Sequence, residues 1–82
     1  MRIENFNPEI KAKLEYWEKR IKRYKDAKYK NWAVYWDERY NSIFLETWDL
    51  DLIKKVAKRL NEIIRFNEVD GYFLILEELY KK

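Results

Sequence analysis

The chain has 82 residues with 18 Lys and Arg against 15 Asp and Glu, a net charge of +3, and neither histidine nor cysteine. Without them there can be no disulfide, thiolate metal site, cysteine nucleophile, Ser-His-Asp triad or His-ligated zinc, so no enzyme, cofactor or metal is expected. A chain this short removes only about 60% of its unfolded surface on folding, so residues 1–82 read as one small domain with one core.

Apolar residues make up 48% and charged residues 40%, a balance that predicts a folded unit with a strongly solvated exterior. No apolar run reaches the roughly 18 residues of a membrane span, and Met1 to Asn5 lack the apolar stretch of a signal peptide. A cytoplasmic protein is expected.

The first element opens at Asn5-Phe6-Asn7-Pro8-Glu9, where Asn7 suits the cap, Pro8 the first helical position and Glu9 the positive end of the dipole. Ile10, Leu14, Trp17, Ile21 and Tyr24 then recur at spacings of four and three, which predicts a long N-terminal helix running to about Lys28. Glu9 with Lys13, Glu15 with Lys19 and Glu18 with Lys22 are spaced for supporting pairs, each adding about 0.3 kcal/mol. The apolar stripe also matches heptad spacing, which makes a homodimer one expectation to weigh, although Trp and Tyr suit such a seam poorly.

Read with period two, Trp32, Val34 and Trp36 share one side of an extended run, with Ala33 and Tyr35 on the other. Ile43, Leu45 and Thr47 likewise oppose Phe44, Glu46 and Trp48, so the two runs form a β-hairpin around Asp37 to Asn41. A second helix spans Asp49 or Asp51 to about Phe66, with Ile53, Val56, Ala57, Leu60, Ile63 and Ile64 on its apolar face. Asn67-Glu68-Val69-Asp70-Gly71 holds the one glycine and marks a turn or cap, after which Tyr72 to Leu76 supply a third short strand. The predicted fold is α+β with element order α-β-β-α-β. The alternative is an all-α bundle of three or four helices, because Trp32, Trp36, Tyr40, Ile43, Phe44 and Trp48 also fit a helical stripe and Asp70 could cap a last helix.

Two surfaces stand out. Aromatic residues form 18% of the chain and cannot all enter so small a core, so the hairpin residues Trp32, Tyr35, Trp36, Arg39 and Tyr40 are the leading protein-interface candidates. Both sides of that hairpin are apolar, which fits either an exposed partner surface or a sheet sandwiched by one helix on each side. The second surface is basic: residues 1 to 31 hold ten Lys and Arg against five acids. Lys19, Arg20, Lys22, Arg23 and Lys25, with Tyr29 for stacking, would suit nucleic acid, yet cations in this place also simply offset a helix dipole.

Asp37-Glu38, Asp49-x-Asp51 and Glu77-Glu78 are weak candidates for oxygen-ligated Mg²⁺, and the two helix-start aspartates already have a structural role. Nothing in the chain has the specificity of a P-loop, a zinc knuckle or an RNA-recognition motif. The function expected is a non-enzymatic module that binds a protein partner, in the manner of a small viral or phage accessory protein that occludes a host factor in the host cytoplasm. Nucleic-acid binding through helix 1 is the alternative.

Overall fold

A computed structural model describes residues 7–29 and 31–79. Met1 to Phe6, which carry the leader reading and the start of the first capping segment, lie outside those residues. The element order is α1 (Pro8–Lys22), a short 3-10 helix (Lys25–Lys28), β1 (Trp32–Asp37), β2 (Ser42–Thr47), α2 (Leu50–Leu60), β3 (Arg65–Asn67) and β4 (Gly71–Glu78). The strands form one antiparallel sheet in the order β1-β2-β4-β3. The α+β fold is therefore established, and the all-α bundle is excluded.

Helix α1 starts as its sequence dictates, with the Asn7 side chain accepting from the Glu9 backbone N–H at 2.8 Å and Pro8 in the first turn. It ends six residues before the predicted Lys28. Tyr24 is extended and the chain re-forms as a 3-10 turn, whose Ala27 is buried and accepts the indole N–H of Trp32 at 2.9 Å. Seating that buried tryptophan takes precedence over the local helical pattern.

Helix α2 is capped by Asp49, whose carboxylate accepts from the Leu52 N–H at 3.1 Å. It stops at Leu60 because Asn61 adopts the left-handed conformation, φ 57°, and the N–H groups of Asn61 and Glu62 return to Lys58 and Ala57. That is a Schellman arrangement with asparagine in the place usually taken by glycine. The residues freed from the expected helix end form β3, a fourth strand that the predicted order lacked.

Both helices pack on the same side of the sheet. Trp17 and Ile21 of α1 and Leu52, Ile53, Val56 and Ala57 of α2 share one core with Trp32, Ile43, Leu45, Leu74 and Leu76 of the sheet. Each fully buried aliphatic side chain contributes about 1.5–3 kcal/mol by leaving water. The sandwiched alternative, one helix per side, does not occur, and the second side of the sheet has no helix over it.

A β-bulge sets the last contact. The pairing of β2 with β4 shifts between Ile43 and Phe44, so Leu76 enters the core while the next residue, Glu77, faces the helices as well. Its carboxylate accepts the Trp17 indole N–H at 2.8 Å and the Lys13 ammonium at 2.7 Å. Glu77 is thus a buried-side anchor for α1, not the solvated strand end read from sequence. Lys13 is accordingly taken from Glu9. None of the three anticipated Glu-to-Lys pairs closes among the described ion pairs, whereas Lys11 and Glu15 meet at 3.5 Å.

Asn67 to Gly71 is the β3–β4 hairpin, with Asn67 Oδ1 accepting from the Val69 and Asp70 N–H groups at 2.9 and 2.6 Å. Gly71 has φ +84°, and a Cβ there would lie 2.8 Å from the Trp48 ring and 2.9 Å from the Thr47 carbonyl oxygen. Positive φ and the overlying indole both demand glycine. Gly71→Ala is expected to lower unfolding stability by about 2 kcal/mol or more, measured as a shift in urea midpoint at unchanged slope.

Candidate functional site

The helix-free side of the sheet is built by alternation. Ala33, Glu46, Phe73 and Arg65 lie in one row across β1, β2, β4 and β3, and Tyr35, Phe44 and Ile75 form the next row. Tyr35 stacks on Phe44 with ring centroids 5.5 Å apart, Phe73 tilts against Phe44 at 6.1 Å and Tyr40 meets it edge-on at 6.2 Å. Phe44 is thereby 6% exposed without any helix above it, while Tyr40 at the rim is 66% exposed. Aromatic pairs of this geometry add about 0.5–1.5 kcal/mol beyond the area they bury.

This cluster lies in a depression of about 560 Å³ whose lining includes Asp37, Asp70 and Glu78 as well as Arg39 and Arg65. Its carboxylates act on their neighbours. Burial, then the charges of Glu46, Asp70 and Asp37, push the Tyr35 hydroxyl up to about 12. Burial and the Asp70 carboxylate also raise Glu46 above the usual carboxylate range. Tyr35 therefore stays a neutral hydrogen-bonding phenol at any physiological pH.

The five predicted interface residues are divided by the sheet. Trp32 is buried in the core at 7% exposure, and Trp36 packs against that core from the helix side. Both thus lie on the helix side of β1, whereas alternation puts Tyr35 on the open side, where the loop residues Arg39 and Tyr40 border the same depression. Phe44, Phe73, Ile75 and Arg65 join them there without having been singled out from sequence. A register was needed to know which runs of β2, β3 and β4 share a side with Tyr35.

The basic candidates lie at the other end of the molecule's chemistry. Lys19, Arg20 and Lys22 fall in the last turn of α1, Arg23 caps it, and Lys25 begins the 3-10 turn. Arg20 stacks near the rings of Tyr16 and Trp17 at 5.5 and 5.7 Å. Tyr29 lies beyond the 3-10 turn, exposed, with the Lys28 ammonium 5.5 Å from its ring centroid. Arg59 of α2, not foreseen, borders the same cavity as Arg20 and Arg23.

The carboxylates named as metal candidates do not assemble: no group of three or more potential ligands occurs among the described residues. Nor is any helix among those residues long and apolar enough to cross a membrane. Comparison with known proteins finds no matching family model, no matching curated protein and no matching solved structure.

The two shifted carboxylates predict opposite pH behaviour. Burial alone would raise Glu77, but hydrogen bonds from Lys13 and Trp17 and the Lys13 charge outweigh it and hold the group below its ordinary value of 4.5. Its stabilisation is present above 4.5 and is lost as pH falls through the lowered folded value. For Glu46 the folded value is raised, so its contribution is best at low pH and is lost as pH rises through that value. Thermal melts from pH 7 to pH 3 are therefore expected to show a shallower acid decline for Glu77→Gln than for the parent. Glu46→Gln is expected to gain stability at pH 7, with the gain fading below pH 4.5.

Proposed function

We propose that the protein is a non-enzymatic binding module that holds a protein partner on the helix-free side of its sheet. The observation that carries this reading is the aromatic cluster of Tyr35, Tyr40, Phe44 and Phe73, left uncovered by both helices and ringed by charged side chains. Interfaces combine an apolar, aromatic-rich centre with a polar rim, and Tyr and Arg are enriched among their energetically dominant residues. On this side Asp37, Glu46, Asp70 and Glu78 outnumber Arg39 and Arg65. That balance favours a basic or neutral polypeptide over a phosphate backbone. Occlusion of a host factor would be one use of such a surface.

Tyr40→Ala tests it, because the ring is exposed and its removal leaves the core intact. A partner is first captured with the parent chain after cross-linking, then purified and re-bound. The variant is expected to stay folded, its thermal midpoint lowered only by the loss of one rim aromatic pair, about 0.5–1.5 kcal/mol, and to bind that partner about 30-fold or more weakly, as for a dominant interface residue worth about 2 kcal/mol. Unchanged affinity in both Tyr40→Ala and Arg65→Glu would remove this side of the sheet from the interface.

A second reading, nucleic-acid binding, is supported by Lys19, Lys22 and Lys25, which are exposed and enter no ion pair with an acid among the described residues. It predicts binding of mixed-sequence DNA or RNA that weakens steeply between 50 and 200 mM salt, and further on Lys19→Glu and Lys22→Glu. A salt-insensitive or absent signal eliminates it.

A further inference from the structure

We infer that the cavity between the C-terminal ends of α1 and α2 is a binding site for a phosphate group, held by Arg20, Arg23 and Arg59. The cavity measures about 250 Å³ and draws three of the chain's six arginines from two helices far apart in sequence. No Asp or Glu lines it, and none of the three arginines is in an ion pair among the described residues. Three like charges around one small cavity repel each other, and a bound anion relieves that repulsion.

The floor is apolar. Trp17, Ile21 and Val56 of the lining are buried, so charges held beside them interact more strongly than they would in open water. Arg20 is held by stacking near Tyr16 and Trp17, an arrangement that restrains its plane while its N–H groups make no hydrogen bond to the protein among the described residues. A planar guanidinium fork matches phosphate oxygens two at a time, which an ammonium cannot do.

Offsetting the helix dipoles does not explain this convergence. Lys19 and Lys22 in the last turn of α1, and Lys58 in the last turn of α2, already supply positive charge there without lining the cavity. The volume lies just below the roughly 300 Å³ at which small-molecule pockets begin, which suits one phosphate and part of its ester rather than a large cofactor. Two sources share this chemistry, a free mononucleotide and a nucleic-acid backbone. Only the second source rests on the nucleic-acid reading above.

The test is titration of the full chain, followed by tryptophan fluorescence and calorimetry, with inorganic phosphate, adenosine 5′-monophosphate and a single-stranded 12-mer at 50 mM salt. Saturable binding of at least one is expected. Arg59→Met should weaken it tenfold or more at an unchanged thermal midpoint, and Arg59→Lys, which keeps the charge but not the fork, should recover only part. Mononucleotide binding lost in Arg59→Met assigns the cavity to a free ligand, and 12-mer binding alone, lost in the same variant, assigns it to a nucleic acid. If the 12-mer binds and is lost only in Lys19→Glu with Lys22→Glu, the cavity assignment is overturned while the nucleic-acid reading stands. No saturable binding of any of the three overturns it outright.

Discussion

The Glu77 carboxylate is the constraint on which the arrangement of this molecule turns. Strict alternation along β4 would put Leu74 and Leu76 toward the helices and Glu77 on the open side with Ile75. One extra residue in the ladder reverses that, and the carboxylate meets the Trp17 indole and the Lys13 ammonium of α1 across 60 residues or more of sequence. Hydrogen bonds to a charged acceptor are the strong ones, and losing either donor would leave a half-buried carboxylate under-satisfied. Through this contact the first helix is fixed to the strand at the far end of the chain. It shares that side of the sheet with α2, whose Lys55 is in turn tied to Asp26 at 2.7 Å.

Placing both helices on one side has a chemical consequence. The core is filled from that side by aliphatic side chains with Trp17 and Trp32, so the aromatic residues on the other side must protect one another. Phe44 shows how far they succeed, since Tyr35, Tyr40 and Phe73 shield it almost completely. Charge is segregated at the same time. Carboxylates gather around the aromatic cluster, raising Tyr35 and Glu46, while arginines converge where the two helices end. A net charge of +3 conceals this two-sidedness.

Much of this was legible in the residues, and what was not has identifiable causes. The capping signals at Asn7-Pro8 and Asp49, and the period-two runs on either side of Asp37 to Asn41, fixed the starts of both helices and the first hairpin, because those signals are local. Helix ends were misjudged at Lys28 and Phe66. In the first case burial of Trp32 against Ala27 overrides a good helical pattern. In the second Asn61 is a stop signal, but asparagine is a weaker one than glycine, and the apolar Ile63 and Ile64 continue the helical spacing past it. The bulge at Leu76 left no trace in the sequence at all, so Glu77 read as an ordinary solvated residue.

The candidate surface was half legible for a related reason. Alternation within β1 correctly separates Trp32 and Trp36 from Tyr35, but it does not say which set meets the core. That choice is made by shape and hydrogen bonding: the Trp32 indole reaches the Ala27 carbonyl only from the helix side, which sends Tyr35 outward. The cavity arginines were hidden differently, since Arg59 is remote from Arg20 and Arg23 until the two helix ends are brought together. An aromatic cluster that shields itself stabilises the sheet whether or not anything binds there, so Phe44 alone says little about function. Tyr40 is the informative residue. It touches Phe44 with one edge and leaves 66% of its surface in water at the rim of the cluster, more than that contact needs, and that surface would be covered by any partner seated on that side.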